Sequence, residues 1–210
     1  MKHLLIIFSL LLTSVSWSKD VELKDLVKRE SLYYEKFTDE PFTGNVIGLM
    51  QGKIKNGKKE GKWLEFLKSG QLDKKHYFKN GKREGEQFYY YDDGQLMVKS
   101  IWKEGKLNGE YLRYFPNGKI NYKRYYKDDL KDGEQLEYYV NGQLEIKNHY
   151  KEGGLEGEQL EYHENGELYR KTSYKEGKKI GKWLWYNNVG QLKTIQIYKD
   201  DELIEQTIHE

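Results

Sequence analysis

The chain has 210 residues, 36 Lys and Arg against 34 Asp and Glu, a formal net charge of +2, no cysteine, and 15% aromatic residues. Balanced charge with no long basic run excludes a nucleic-acid binder, which needs a basic face to neutralise phosphates. The missing cysteines exclude a disulfide framework and a lipid-modified lipoprotein cysteine, and the ordered aromatic pattern excludes a disordered chain.

Residues 1–18 read as an export signal. Lys2 and His3 give a short positive start, Leu4 to Leu12 an apolar core, and Ser16 and Ser18 the small residues before a cut after Ser18. The apolar run is too short for a bilayer span, which needs about 20 residues. The expected location is the periplasm, the cell envelope or the exterior. Residues 19–60 then form an N-terminal cap. Asp20 to Glu30 is expected to be helical, Leu32-Tyr33-Tyr34 a strand, and Pro41-Phe42-Thr43-Gly44 the entry to an irregular hairpin ending at Asn56-Gly57.

From there glycine recurs every 24 residues in three phases. One holds Gly61, Gly85, Gly109, Gly133, Gly157 and Gly181; a second holds Gly70, Gly94, Gly118, Gly142, Gly166 and Gly190; a third holds Gly57, Gly81, Gly105, Gly153 and Gly177, with Asp129 and Asp201 in the same phase. A fixed period without insertions marks stacked copies of one supersecondary unit. Within each unit Leu or Phe (Leu64, Phe88, Leu112), an aromatic (Phe66, Tyr90, Tyr114), Leu or Ile (Leu72, Leu96, Ile120) and another aromatic (Phe78, Trp102, Tyr126) keep fixed places. Such residues between Gly turns are strand chemistry. The fold expected is all-β: one elongated, twisted antiparallel meander of six 24-residue hairpins over 61–204, closed by a polar capping strand at 205–210.

Turn chemistry sets the register. A three-residue loop at Pro116-Asn117-Gly118 places Tyr114 across from Ile120 and keeps one apolar face. A second three-residue loop at Lys79-Asn80-Gly81 would set Leu72 across from Phe88. Gly61 and its equivalents then lie inside a strand as bulges. On this scheme Leu64, Phe66, Leu72 and Phe78 share one face, while Lys75, Lys99, Lys123, Lys147 and Lys171 form a solvated row on the other, beside Glu65, Glu137 and Glu161.

The recurrent Asn-Gly-Lys-x-x-Gly, as at Asn56 to Gly61, followed by Tyr and then Asn-Gly-Gln-Leu, as at Asn141 to Leu144, resembles the bacterial variant of the MORN repeat. With Pro41-Phe42-Thr43-Gly44 as an entry motif, residues 31–205 are similar to the YwqK-family antitoxins. The resemblance implies a β-hairpin array used for binding or scaffolding, and the antitoxin label implies neutralising a toxin partner. Related repeats occur attached to phosphoinositide kinases, but the Gly-rich loop, His-Arg-Asp and Asp-Phe-Gly of a kinase are missing from this sequence.

A regular ribbon repeats its residues rather than converging them, so no enzyme, metal or cofactor is expected. His76, His149 and His163 take different repeat places without ligand spacing, and the Asp pairs at 92–93, 128–129 and 200–201 lack the alternation of a calcium loop. The regular aromatics are expected to pack the sheet. The irregular ones, Trp63, Tyr89, Tyr91, Tyr111, Tyr139 and Trp183, are the candidates for partner contact. The expected partner is another protein. Cell-wall glycan is the rival ligand, a membrane surface the third, and the sequence leaves the oligomeric state open.

Overall fold

A computed structural model describes residues 19–209. The proposed export signal and its cut after Ser18 lie outside them. The chain forms one long, open, mostly antiparallel sheet, with a small hairpin packed at its N-terminal end.

Six hairpins carry the repeat. Their entering strands begin at Lys58–Phe66 and end at Gly181–Tyr186; their returning strands run from Leu72–Lys79 to Leu192–Lys199. Each long turn has three loop residues. In the third hairpin Gly118 N–H bonds to Phe115 O at 2.9 Å, Gly118 is left-handed at φ 79°, and Tyr114 faces Ile120 as the turn chemistry predicts.

The connecting turns differ from the expected three-residue form. Asn80 and Gly81 both have positive φ, 51° and 80°, and Lys79 pairs with Lys82 across a two-residue loop. That is a type I′ turn, whose twist matches the flanking strands. Every connecting turn repeats it, including Asp128-Asp129 and Asp200-Asp201. Asp tolerates the left-handed region better than most residues, and the Asp129 and Asp201 carboxylates also accept the backbone N–H of Leu107 and Lys179 at 2.8 and 2.9 Å.

Two bulges per repeat rewrite the faces. Gly61 and its equivalents sit at the expected irregularity, where the entering strand gains two residues. Gly85, at φ 71°, shows why glycine stands there: a side chain in that conformation costs about 1 kcal/mol or more. A second, one-residue bulge at Asn121 and its equivalents was not foreseen. Tyr114 faces Ile120, but Arg113 faces Tyr122. A one-residue slip sends every later side chain to the opposite face. The expected apolar face and lysine row are therefore interleaved: Leu64, Lys75, Phe88, Lys99, Leu112, Lys123 and Leu136 run as one continuous cross-strand ladder. Leu72 does not face Phe88; Lys75 does. Four of the five lysines, Lys99, Lys123, Lys147 and Lys171, pair with Glu86, Glu110, Glu134 and Glu158 in one repeating geometry, rather than with Glu65, Glu137 and Glu161, while Lys75 lies 4.8 Å from the Phe88 ring centre.

The opposite face is the covered one. The second regular aromatic falls here, each ring opposite a bulge glycine: Phe78 with Gly61, Trp102 with Gly85, Tyr126 with Gly109.

At the N-terminal end this face is roofed. Asp20 to Glu30 is not helical: Lys19–Glu22 pairs in parallel with Gly44–Ile47, Leu23–Asp25 is a 3-10 turn, and Leu26–Arg29 forms a hairpin with Leu32–Glu35. Here cross-strand partners supply backbone hydrogen bonds that a short isolated helix would have to make within itself. Leu26, Phe42, Val46, Ile54 and Trp63 form the buried apolar core. The fit is close, since a Cβ on Gly52 would lie 2.3 Å from the Trp63 ring.

The C-terminal end departs from the expected polar cap. The last strand is Glu202–Ile208, and Leu203, Ile204 and Ile208 are exposed along it. Glu205 holds the bulge-glycine place, and the bulge there gains one residue instead of two, with Ile197 facing Glu205 and Tyr198 facing Leu203. Side-chain bulk disfavours the left-handed bulge, which accounts for the changed register.

Candidate binding face

Trp63, Gln87, Tyr111, Gln135, Gln159 and Trp183 occupy one place in successive repeats on the covered face. Five of the six donate to a backbone carbonyl ten residues back, on the strand facing the bulge. Trp63 Nε1 reaches Lys53 O at 3.2 Å, Gln87 Nε2 reaches Tyr77 O at 3.0 Å, Gln135 Nε2 reaches Tyr125 O at 2.9 Å, Gln159 Nε2 reaches His149 O at 3.4 Å, and Trp183 Nε1 reaches Ser173 O at 3.3 Å. Three of these carbonyls also accept a backbone N–H across the bulge, Tyr77 O from Glu84, His149 O from Glu156 and Ser173 O from Ile180, at 2.9, 2.9 and 3.0 Å. The side-chain N–H is a second donor to the same oxygen, which has two lone pairs, and it ties the strands together where the bulge interrupts the ladder.

This role places the six contact candidates. Trp63 and Trp183 are buried, at 0% and 5% exposure, and offer no surface to a partner. Tyr91 and Tyr139 start long turns, and each hydroxyl donates to a carbonyl of the next repeat, Tyr114 O at 2.7 Å and Tyr162 O at 2.8 Å. They bind the turns to one another. Tyr89 and Tyr111 are half-buried on the covered face and stay available at their rims.

Those two border a depression of about 310 Å³, with Met97, Val98, Ser100, Trp102 and Arg113. Trp102 donates from Nε1 to Ser100 Oγ at 2.9 Å, which fixes its ring. Tyr111 stacks on Tyr122 at 5.8 Å and 17°, and the Arg124 guanidinium lies 3.9 Å from the Tyr122 ring centre. Burial, aided by Tyr122, pushes the Tyr111 hydroxyl up to about 12, so it stays a donor at neutral pH. Residues of these types, rigid, broad and carrying one polar end, dominate binding hot spots. Of the six sequence candidates, Tyr89 and Tyr111 line the depression; Trp102 and Arg113, which line it too, and Tyr122 stacked beside it are not among the six. Trp102 stands among the regular aromatics expected to pack the sheet, while Arg113 stands out only when set against Glu65, Glu137 and Glu161 at the same repeat place.

His76 lies beneath this face at 4% exposure, its ring 5.1 Å from Tyr89 and 6.0 Å from Phe78. Burial, then the nearby Arg83, lower its pKa to about 4, so it is neutral at physiological pH. Among the described residues no cluster of His, Asp and Glu is arranged to hold a metal ion.

The MORN repeat variant model matches residues 59–80, 83–104, 107–128, 131–152 and 155–176, five tandem units covering half of the chain. The chain belongs to the MORN repeat variant family. Each matched MORN unit spans one hairpin, from just after one connecting turn through the long turn to the next connecting turn, and the sixth hairpin keeps the same register beyond them. No curated protein matches the chain. As a family of repeat-based binding modules, MORN repeats suit a face on which side chains hold the backbone and a few half-exposed rings remain available.

Proposed function

We propose that the protein is an exported, non-enzymatic protein-binding module, and that its partner docks on the covered face of the second and third hairpins. The observation that carries this reading is the depression among Tyr89, Trp102, Tyr111 and Arg113, where the regular repeat is most varied and rings are half-exposed. Export is supported by the apolar run Leu4 to Leu12 and the small residues Ser16 and Ser18. The resemblance to YwqK-family proteins favours an antitoxin or immunity-type partner, for which a toxin-like gene beside this one is the genomic sign.

The test is affinity capture from the cell-envelope fraction with the mature chain and a Trp102→Ala, Tyr122→Ala double variant. The expected result is one protein recovered by the first and lost with the second. Co-sedimentation with peptidoglycan without any recovered protein would overturn this reading in favour of a cell-wall glycan ligand.

A further inference from the structure

The covered face spends most of its charge internally. Lys74 pairs with Glu65 and Asp73, Arg124 with Glu137, and Arg170 with Glu161. Arg113 occupies the repeat place that holds Glu65, Glu137 and Glu161 elsewhere, is exposed, and forms no ion pair among the described residues. Its ladder neighbours are Val98 and Tyr122, so no carboxylate flanks it in its own row. The hydroxyl of Tyr122, and then that of Tyr91, favour its charged form. Arg83 lies nearby, 4.8 Å from the Trp102 ring centre.

Resting on the protein-binding reading above, we propose that Arg113 is the anchor of a carboxylate subsite, which takes one Asp or Glu side chain from an extended segment of the partner. The guanidinium fork suits a planar carboxylate, while the half-exposed rings of Trp102 and Tyr111 cover the apolar neighbour of that acid. An acidic polymer fits less well. A uniform row of negative charge lying along this face would next meet Glu137, Glu145 and Glu161. The Glu145 carboxyl is already raised, first by burial and then by those two neighbours. Like charges there repel a polyanion but leave a peptide with a single acid undisturbed.

The probes are a labelled heptapeptide, Ser-Leu-Tyr-Glu-Tyr-Leu-Ser, and its Gln counterpart, each titrated by fluorescence anisotropy against the mature chain. The Glu peptide is expected to bind roughly tenfold tighter than the Gln peptide, as a charge-assisted bidentate pair implies. Arg113→Gln should erase that difference while leaving the Gln peptide unaffected, and Arg113→Lys should keep only part of it. Because Arg113 is exposed, its variants should retain the wild-type near-ultraviolet circular dichroism, which checks their fold. Equal binding of the two peptides, no binding of either at millimolar concentration, or stronger competition by polygalacturonate than by the Glu peptide would overturn the subsite. If the peptides are not distinguished while Trp102→Ala, Tyr122→Ala still loses the captured protein, the subsite fails and the functional reading stands.

Discussion

Trp63 and Gln87 stand one repeat apart, make the same hydrogen bond to the strand facing a bulge, and are equally buried. Around Trp63 lie Leu26, Phe42, Val46 and Ile54, an apolar core roofed by the N-terminal hairpin. Gln87 pairs with Ser100, and Gln135 and Gln159 take its place further along. The sheet thus has one region held by apolar burial and another held by satisfied polar groups. The contrast shows that the repeat grammar fixes backbone geometry, and that the residue filling the bulge place decides whether the local interior is oily or polar. The polar interior leaves few apolar side chains to bury, and the rings above it remain half-exposed for binding.

Trp63→Ala should break the comparison most strongly. Large-to-small replacement of a buried aromatic costs about 3–5 kcal/mol, and the loss should appear in chemical denaturation as early melting of the N-terminal end. Next comes acid. His76 is held neutral to about pH 4 against an ordinary histidine value of 6.5. The unfolded chain therefore takes up a proton that the folded chain refuses, and stability present above pH 6.5 is lost as pH falls toward 4. The full shift corresponds to about 3 kcal/mol. Denaturation midpoints measured from pH 7 to pH 4 should fall for the wild type and flatten for His76→Gln. In the polar region, Gln87→Leu keeps the bulk but removes the acceptor of the Tyr77 amide and leaves the Tyr77 carbonyl with the Glu84 N–H alone, at a cost of about 1–3 kcal/mol. Amide exchange should quicken at Tyr77 and the adjacent bulge. The mildest change is Lys123→Ala, which removes a half-exposed ion pair with Glu110 and should shift stability by less than about 1 kcal/mol.

The glycine clock made the architecture legible: period, hairpins, long turns and the bulge at Gly61 all follow from which residues accept left-handed backbone. The faces were harder to read. A one-residue bulge at Asn121 reverses the side-chain alternation of everything beyond it, and Asn121 carries no glycine or proline to announce it. The connecting turn was also ambiguous, because Asn80-Gly81 serves either a two-residue or a three-residue loop. These errors propagated to the site. Tyr89 and Tyr111 break the repeat and line the depression, whereas Trp63 and Trp183 break it equally yet are buried and bonded to carbonyls of the facing strand, a role visible only once that strand is in place.

The chain has no cysteine, so single cysteines report position without background. Met97 and Lys99 lie on one strand with opposite orientations, the first lining the depression and the second on the lysine-ladder face. Met97→Cys and Lys99→Cys chains, each carrying a short photocrosslinker, should be exposed to the captured partner in parallel. The account predicts a strong crosslink from position 97 and little from 99; equal crosslinking, or a preference for 99, would contradict the assignment of the binding face.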